Sequence, residues 1–237
     1  MTERGARRLE RDASTLRIGP SRVERRSDTL TISIDEITAP WPSRVRGTVR
    51  VTTDAWHDAI YPLDSAGRHE WQPLAPCARV EVTLENPRSH GQGIAYVDSN
   101  RGSAPLERDF SRWHWSRAVD TSGRTSVLYD APRRDGSALG LALGYAPGSA
   151  SAEAMPAPAE CALPRSAWGI ARATRSDADA PASVAQTLED GPFYARSLVR
   201  SQIDGRPMTA VHESLDLDRF ASPWVQAMLP FRMPRRG

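Results

Sequence analysis

Apolar residues in this chain recur at every second position, and that period is the tightest constraint on what it can fold into. Leu30, Ile32 and Ile34 alternate with Thr31 and Ser33 until Pro40 and Pro42 end the run. Val45, Val49 and Val51 mark a second extended stretch, and Val80, Val82 and Leu84 alternate with Glu81 and Thr83. Ile94, Tyr96 and Asp98 fall on one face of a short run, with Ala95 and Val97 on the other. Val127 and Tyr129 share a face, as do Leu139, Leu141, Leu143 and Tyr145. Further extended stretches are Trp168–Thr174, Val184–Leu188, Ser197–Ile203 and Met208–Leu215. Successive side chains on a strand point to opposite faces, so each run reads as a strand with one face turned to a core. Asp204-Gly205-Arg206-Pro207 reads as the hairpin turn between the last two. Proline (19) outnumbers glycine (16), which suits short strands and frequent turns. Together these features predict an all-β barrel or sandwich, and 237 residues suffice for one large β domain or two small ones.

Two stretches break the pattern. Pro147–Pro164 is rich in Ala, Pro, Ser and Glu and reads as a mobile loop. Near the C-terminus, Leu217, Phe220, Ala221, Trp224, Val225 and Met228 follow i, i+3, i+4 spacing. This predicts one amphipathic helix over Asp216–Leu229, with Asp216 and Asp218 in its first turn and Pro230 stopping it. Such a helix either docks on its own barrel or, with Phe231, Arg232, Arg235 and Arg236 beside it, rests on a membrane surface.

Composition excludes several classes of function. All 31 basic residues are Arg, so Schiff-base and P-loop lysine chemistry is ruled out. Against 29 acidic residues the net charge is +2, and the basic residues are spread rather than gathered. A nucleic-acid partner is therefore not expected. Met1–Arg26 is locally basic, with eight Arg against four acids. A solvated face or a contact with anionic lipid accounts for that as well as nucleic acid does. Cys77 and Cys161 lie 84 positions apart with no CxxC pair, which argues against a zinc site or a disulfide framework. No run of 18 apolar residues marks a spanning helix, and MTERGARRLERDAS lacks the apolar centre of a signal peptide.

Generic catalytic motifs are absent, and the five histidines show no metal-ligand spacing. Two short stretches carry chemical interest. In His69-Glu70-Trp71, an extended backbone turns His69 and Trp71 to the same face. In Gly93–Asn100, Tyr96 and Asp98 share a face with Ile94. A carboxyl on an otherwise apolar barrel face is costly to ionise, so its pKa should rise, and a carboxylic acid kept protonated near neutrality can serve as a general acid. Neighbouring aromatic faces would stabilise a developing cation. Taken by themselves, these residues favour the plainer reading of Tyr-x-Asp, a strand-end aspartate that caps a turn.

Several stretches resemble the carotenoid 1,2-hydratases, also called hydroxyneurosporene synthases. They are LRIGPS (Leu16–Ser21), IDEITAPWPSRVRGTVRV (Ile34–Val51), AGRHEWQPLAPCARVEV (Ala66–Val82) and AYVDSNRGSAPLERDF (Ala95–Phe110). WHWSRA (Trp113–Ala118), VLYDAPRRDG (Val127–Gly136), TLEDGPFYARS (Thr187–Ser197) and VHESLDLDRFASPWVQAMLPFRMPRR (Val211–Arg236) extend the resemblance nearly end to end. It implies addition of water to the terminal C1–C2 double bond of an acyclic carotenoid such as neurosporene or lycopene, giving a tertiary alcohol with no organic cofactor and no metal. It implies two lipocalin-like β-barrel modules in tandem, here residues 1–108 and 109–237, with a break near Glu107–Ser111. The family's His-x-Trp and Tyr-x-Asp pairs fall on His69 and Trp71 and on Tyr96 and Asp98. Asp98 would then protonate C2, Trp71 and Tyr96 would stabilise the cation, and His69 would orient the water or take its proton.

A bilayer-soluble substrate implies peripheral docking on the cytoplasmic side of the inner membrane. Two departures stand out. The opening MTERGARRLERDA resembles an internal stretch of the first module, which is therefore expected to lack its N-terminal part. His114 stands between Trp113 and Trp115 where relatives often carry an acidic residue, and it receives no role. Two other readings remain open at this point: a non-catalytic lipid- or carotenoid-binding lipocalin, and a related terpenoid-modifying lyase or cyclase.

Overall fold

A computed structural model describes residues 3–39, 41–232 and 235–236. The chain divides into two compact units whose segments alternate along the sequence. Unit 1 holds Met1–Trp56, Ala75–Val97 and Gln226–Gly237, and unit 2 holds His57–Leu74 and Asp98–Val225. Residues 107–111 lie within unit 2.

Unit 1 is an antiparallel meander. Its strands are β1 (Glu3–Arg4), β2 (Leu9–Arg11), β3 (Thr15–Ile18), β4 (Ser21–Arg26), β5 (Thr29–Ile37) and β6 (Arg44–Thr53). From β2 to β6 each pairs with the next. The chain then passes through β7 (Tyr61–Pro62), β8 (His69–Asn86) and β9 (Arg88–Gly102). Two of these strands run through both units. The later part of β8 pairs with β6 in unit 1, while its first residues pair with β7 in unit 2, Tyr61 opposite Trp71.

Register converts the two-residue period into a core. Leu30 lies opposite Val51, and Val51 opposite Val80; Ile32 lies opposite Val49, and Val49 opposite Val82. Val51, Ala75 and Ala78 form the buried centre, with Leu30, Val49, Trp56, Val80, Ala95 and Val97 packed against it. This corrects one sequence expectation. Ala95 and Val97 supply the core face of β9, whereas Ile94, placed on the apolar face with Tyr96 and Asp98, is 62% exposed.

Unit 2 continues with α1 (Leu106–Asp109), β10 (Arg112–Val119), β11 (Thr125–Pro132), β12 (Ala138–Tyr145), β13 (Glu153–Ala154), β14 (Ala159–Leu163), β15 (Arg172–Ser176), β16 (Ser183–Asp190), β17 (Tyr194–Ile203) and β18 (Arg206–Asp216). Seven of these form a sheet in the order β13-β12-β11-β10-β18-β17-β16, and β14 pairs with β15 apart from it. The turn from β17 to β18 is the one expected. Asp204 and Gly205 both have positive φ, 54° and 72°, as a two-residue hairpin of matching twist requires, and the Asp177 carboxylate accepts from both their N–H groups.

Three expectations change here. Pro147–Pro164 is not a plain loop, because β13 pairs with β12 and β14 with β15 inside it. Its small residues show no hydrophobic alternation, yet their backbones complete ladders. The strand expected from Trp168 begins at Arg172, since Ser166–Gly169 forms a turn closed by the Gly169 N–H to the Ser166 carbonyl at 2.8 Å. The C-terminal helix is two helices, α2 (Leu217–Phe220) and α3 (Pro223–Arg232). Asp216 caps α2 by accepting from the Arg219 N–H at 2.9 Å. Pro223 has no N–H to give the Arg219 carbonyl, which Ser222 takes over, so the helix restarts with proline in its first turn. α3 runs two residues past Pro230, the residue expected to stop it. β19 (Arg235–Arg236) pairs in parallel with β1 in unit 1. No helix among the described residues is long and apolar enough to cross a membrane.

Candidate active site

His69 and Trp71 open β8 inside unit 2, and the two-residue period buries both side chains, Trp71 completely. The turn before them fixes where the strand starts. Asp64 accepts from the His69 N–H at 2.7 Å and the Ala66 N–H at 3.1 Å, and the Leu63 N–H donates to the His69 carbonyl at 2.8 Å. Such side-chain-to-backbone bonding is how aspartate organises a turn.

Trp71 and Asp98, 27 positions apart in sequence, are joined directly. The indole Nε1–H donates to Asp98 Oδ2 at 2.8 Å. Asp98 is half-buried near the end of β9. Around this pair stand rings that the sequence does not single out. Tyr61 packs on Trp71 with centroids 5.4 Å apart, and Tyr129 packs on it at 5.3 Å. The aromatic chain continues from Tyr129 to Trp113 at 6.2 Å, to Phe110 at 6.4 Å, and back to His69 at 5.3 Å. Burial, the Asp98 charge and the Glu213 charge all push the Tyr129 hydroxyl far up, so it stays protonated. The nearby carboxylate is thus felt electrostatically by a ring that also walls in Trp71.

His69 points its chemistry elsewhere. Its Nε2 lies 2.8 Å from Asp109 Oδ2, and Asp109 is gripped by Arg68 through Nε at 3.0 Å and Nη2 at 2.6 Å. That grip, together with the His69 contact, holds the Asp109 carboxyl below the usual carboxylate range against a smaller opposing effect of burial. Tyr96 is half-buried two residues before Asp98 on β9, in the stretch that belongs to unit 1. The structure therefore brings together Trp71 and Asp98. It sets His69 beside Trp71 on one strand face but bonds it to Asp109, and Tyr96 stands two residues before Asp98 on β9.

Sequence reasoning missed Tyr61, Phe110, Trp113, Tyr129 and Asp109. Only Tyr129 carried a signal, through the face it shares with Val127. Among the described residues no three His, Cys, Asp or Glu side chains are grouped to hold a metal ion.

His114 belongs to a different environment. It lies opposite Ser214 in the β10–β18 ladder, and its Nδ1 is 2.9 Å from the Ser214 hydroxyl. His212 stacks on it, centroids 6.0 Å apart, and donates through Nε2 to the Ala173 carbonyl at 2.7 Å. Burial first, and then the neighbouring His212 and Arg112 charges, push His114 down to about 3.

The fold and this site define an all-β, lipocalin-like protein with a carboxylate and an indole paired among buried rings. Comparison with known proteins agrees on the fold. A Nitrosomonas europaea protein described as an AttH superposes with a TM-score of 0.59 at 14% identity, over 85% of this chain and 69% of that one. The chain belongs to the family described as carotenoid hydratase CrtC, whose model matches residues 1–237. It is similar over its whole length to the acyclic carotenoid 1,2-hydratases of Thiocapsa roseopersicina (51% identity), Rubrivivax gelatinosus (45%) and Cereibacter sphaeroides (39%). It spans 58% of the length of the first two and 84% of the third.

Proposed function

We propose that this protein adds water across the terminal C1–C2 double bond of an acyclic carotenoid such as neurosporene or lycopene. The observation that carries the reading is the Trp71–Asp98 hydrogen bond within the Tyr61, Trp71 and Tyr129 wall. An isolated trisubstituted alkene is a weak base, so its protonation needs a positioned acid in a dry site. Trp71 occupies Oδ2 as a donor, so in the neutral acid the proton rides on Oδ1. Asp98 delivers that proton to C2. The π pair forms the new C–H bond and leaves a tertiary cation at C1. The ring faces of Trp71, Tyr61 and Tyr129 attract such a cation, more strongly where water is excluded. Tyr96 is the further ring that the family pattern supplies for this purpose. Water then bonds to C1, and its surplus proton returns to the Asp98 carboxylate, directly or by way of His69. The acid is regenerated, and the sum is alkene plus water to tertiary alcohol with no redox change.

A carotenoid dissolves only in the bilayer, so the reaction takes place at a membrane surface, with the protein docked peripherally on the cytoplasmic side. Trp224 on α3, 48% exposed, and the arginine-rich Met1–Arg26 segment are groups suited to that contact. Washing membranes with high salt or carbonate should release the protein. Retention through both washes would refute peripheral docking.

The chemistry is tested by incubating the full chain with lycopene or neurosporene in phospholipid vesicles. The expected product is one water heavier, and none forms with Asp98→Asn. Binding without any mass gain would make this a carotenoid-binding protein instead. Turnover retained by folded Asp98→Asn would move the acid elsewhere.

A further inference from the structure

The contacts of His69 go beyond what that chemistry requires of it. Asp109 is ionised, so it can only accept, and the hydrogen on the facing imidazole nitrogen must sit on Nε2. In a neutral imidazole this leaves the lone pair on Nδ1. Nδ1 faces Gly102, at the end of β9. A Cβ at that position would come within 2.7 Å of Nδ1 and 3.3 Å of the Arg68 carbonyl oxygen, so any side chain there would crowd the nitrogen. His69 and Gly102 both line a cavity of about 180 Å³ whose apolar side includes Leu63, Leu106 and Trp113. A water molecule claims ~30 Å³ of liquid, so the cavity has room for several.

We infer that Asp109, held by Arg68, is a positioning residue that keeps His69 in its Nε2–H form, with Nδ1 presented beside Gly102 as acceptor for the water that captures the cation. The inference rests on the hydration reading above and names the device that serves its second step. Asp98 makes the cation; the Arg68–Asp109–His69 series orients the water that ends it. The competing account is a staple that merely ties α1 to the start of β8.

The two steps can be separated in heavy water. A cation that captures no water can lose the original hydrogen from C2, which returns a deuterium-labelled alkene. Exchange at C2 therefore reports protonation, and the alcohol reports capture. Asp109→Asn would not do, because the amide oxygen at the Oδ2 position still accepts from both His69 Nε2 and Arg68 Nε. Asp109→Leu removes the acceptor, and the ring hydrogen is then free to move to Nδ1. Hydration of lycopene in phosphatidylcholine vesicles should fall about 10²-fold, the lower range for a misplaced acid–base group. Exchange at C2 should persist, so the exchange-to-hydration ratio should rise by a similar factor. Nitrogen NMR of His69 should report the change of tautomer.

An unchanged ratio, whether both rates fall together or neither does, would overturn the inference and leave Asp109 a staple. Should Asp109→Leu lose its cooperative melting transition, Gly102→Ala carries the same test. It keeps the ion pair but crowds Nδ1, so the ratio should rise with the tautomer unaltered. The hydration reading fails separately. If Asp98→Asn still exchanged and hydrated, the acid would be wrong while the His69 tautomer shift still stood.

Discussion

Two regions of unit 2 bury titratable groups, and they do so in opposite ways. Each contains a histidine within two residues of a tryptophan in sequence, His69-Glu70-Trp71 in one and Trp113-His114-Trp115 in the other. In the first, a carboxylate and an indole meet between rings, and the histidine is tied to a second carboxylate. In the second, His114, His212 and Arg172 bond to hydroxyls and backbone carbonyls, while Arg175 on β15 pairs with Asp130 on β11. His212 donates to the Ala173 carbonyl, and Arg172 gives Nε to the Pro164 carbonyl at 2.7 Å, Nη1 to Thr187 and Ser197, and Nη2 to the Arg165 carbonyl. Those bonds fasten the β14–β15 pair to the larger sheet, which no ladder does. Residue type is thus a poor guide to role here. A buried polar group whose hydrogen bonds go to neighbouring backbone is holding the fold together, whereas a carboxylate set among aromatic faces is placed where charge can form and vanish.

The contrast predicts a double dissociation, and its largest effect is on Asp98. Asn is nearly isosteric and still accepts from the Trp71 indole through its oxygen, so Asp98→Asn should melt within a few degrees of the parent. Its hydration rate should fall by at least about 10²–10⁴. A large loss of stability in thermal melts would break the comparison, because Asp98 would then belong with the groups that hold the fold. Trp71→Phe comes next. It keeps a ring against Tyr61 and Tyr129 but deletes the donor to Oδ2. A hydrogen bond to a charged group contributes roughly 1.5–3 kcal/mol, so turnover should drop about tenfold to a hundredfold. A rate close to parental would mean that the indole N–H is there for packing alone.

How much of this was legible in sequence follows from which forces are local. Alternation located β5, β6, β17 and β18, because a half-buried strand must show that period. It also put His69 and Trp71 on one face, as their joint burial bears out. It could not find β14, whose Ala-Glu-Cys-Ala-Leu run has no alternation and is a strand only because β15 lies beside it. It mistook the faces of β9, since Ala95 and Val97 are less hydrophobic than Ile94 yet lie where the core is. The Trp71–Asp98 bond and the rings from β7 and β11 are long-range meetings that no short-range period encodes. Pro223 was visible, but the helical spacing runs unbroken across it and hid the break.

Acid should expose the second region before the first. His114 stays neutral down to about 3 in the fold but takes up a proton near 6.5 once unfolded. Below about pH 6.5 the unfolded chain therefore binds the extra proton, and stability is lost progressively as pH falls toward 3. At about pH 5 that is ~1.5 pH units at ~1.4 kcal/mol each, or roughly 2 kcal/mol from His114. His212, also pushed down chiefly by burial, acts in the same direction. His114→Asn keeps an acceptor for Ser214 without a group that titrates in this range. It should flatten the melting-temperature profile between about pH 7 and 5, by ~2–4 °C for each kcal/mol removed. An equally steep profile in the variant would assign the acid sensitivity to other groups.

The smallest effect sharpens the comparison most, because it asks for a change in stability with none in chemistry. His212 lies opposite Ser116 on β10 and Ser197 on β17, at the centre of the polar interior. Its Nε2–H donates to the Ala173 carbonyl on β15, and its Nδ1 is buried without a hydrogen bond. His212→Leu would orphan that carbonyl, at about 1–3 kcal/mol. It would also remove the unsatisfied Nδ1 and add apolar surface, each of which offsets part of that cost. The net should be about 1 kcal/mol, a shift of ~2–4 °C in melting temperature. His212→Gln, which restores an N–H donor on a side chain of similar reach, should recover part of it. Hydration by both variants should stay at the parental rate, because nothing that bonds to His212 reaches Asp98 or Trp71. A turnover loss in His212→Leu that Gln does not rescue would mean that the polar interior also shapes the aromatic corner, and the division drawn between the two regions would fall.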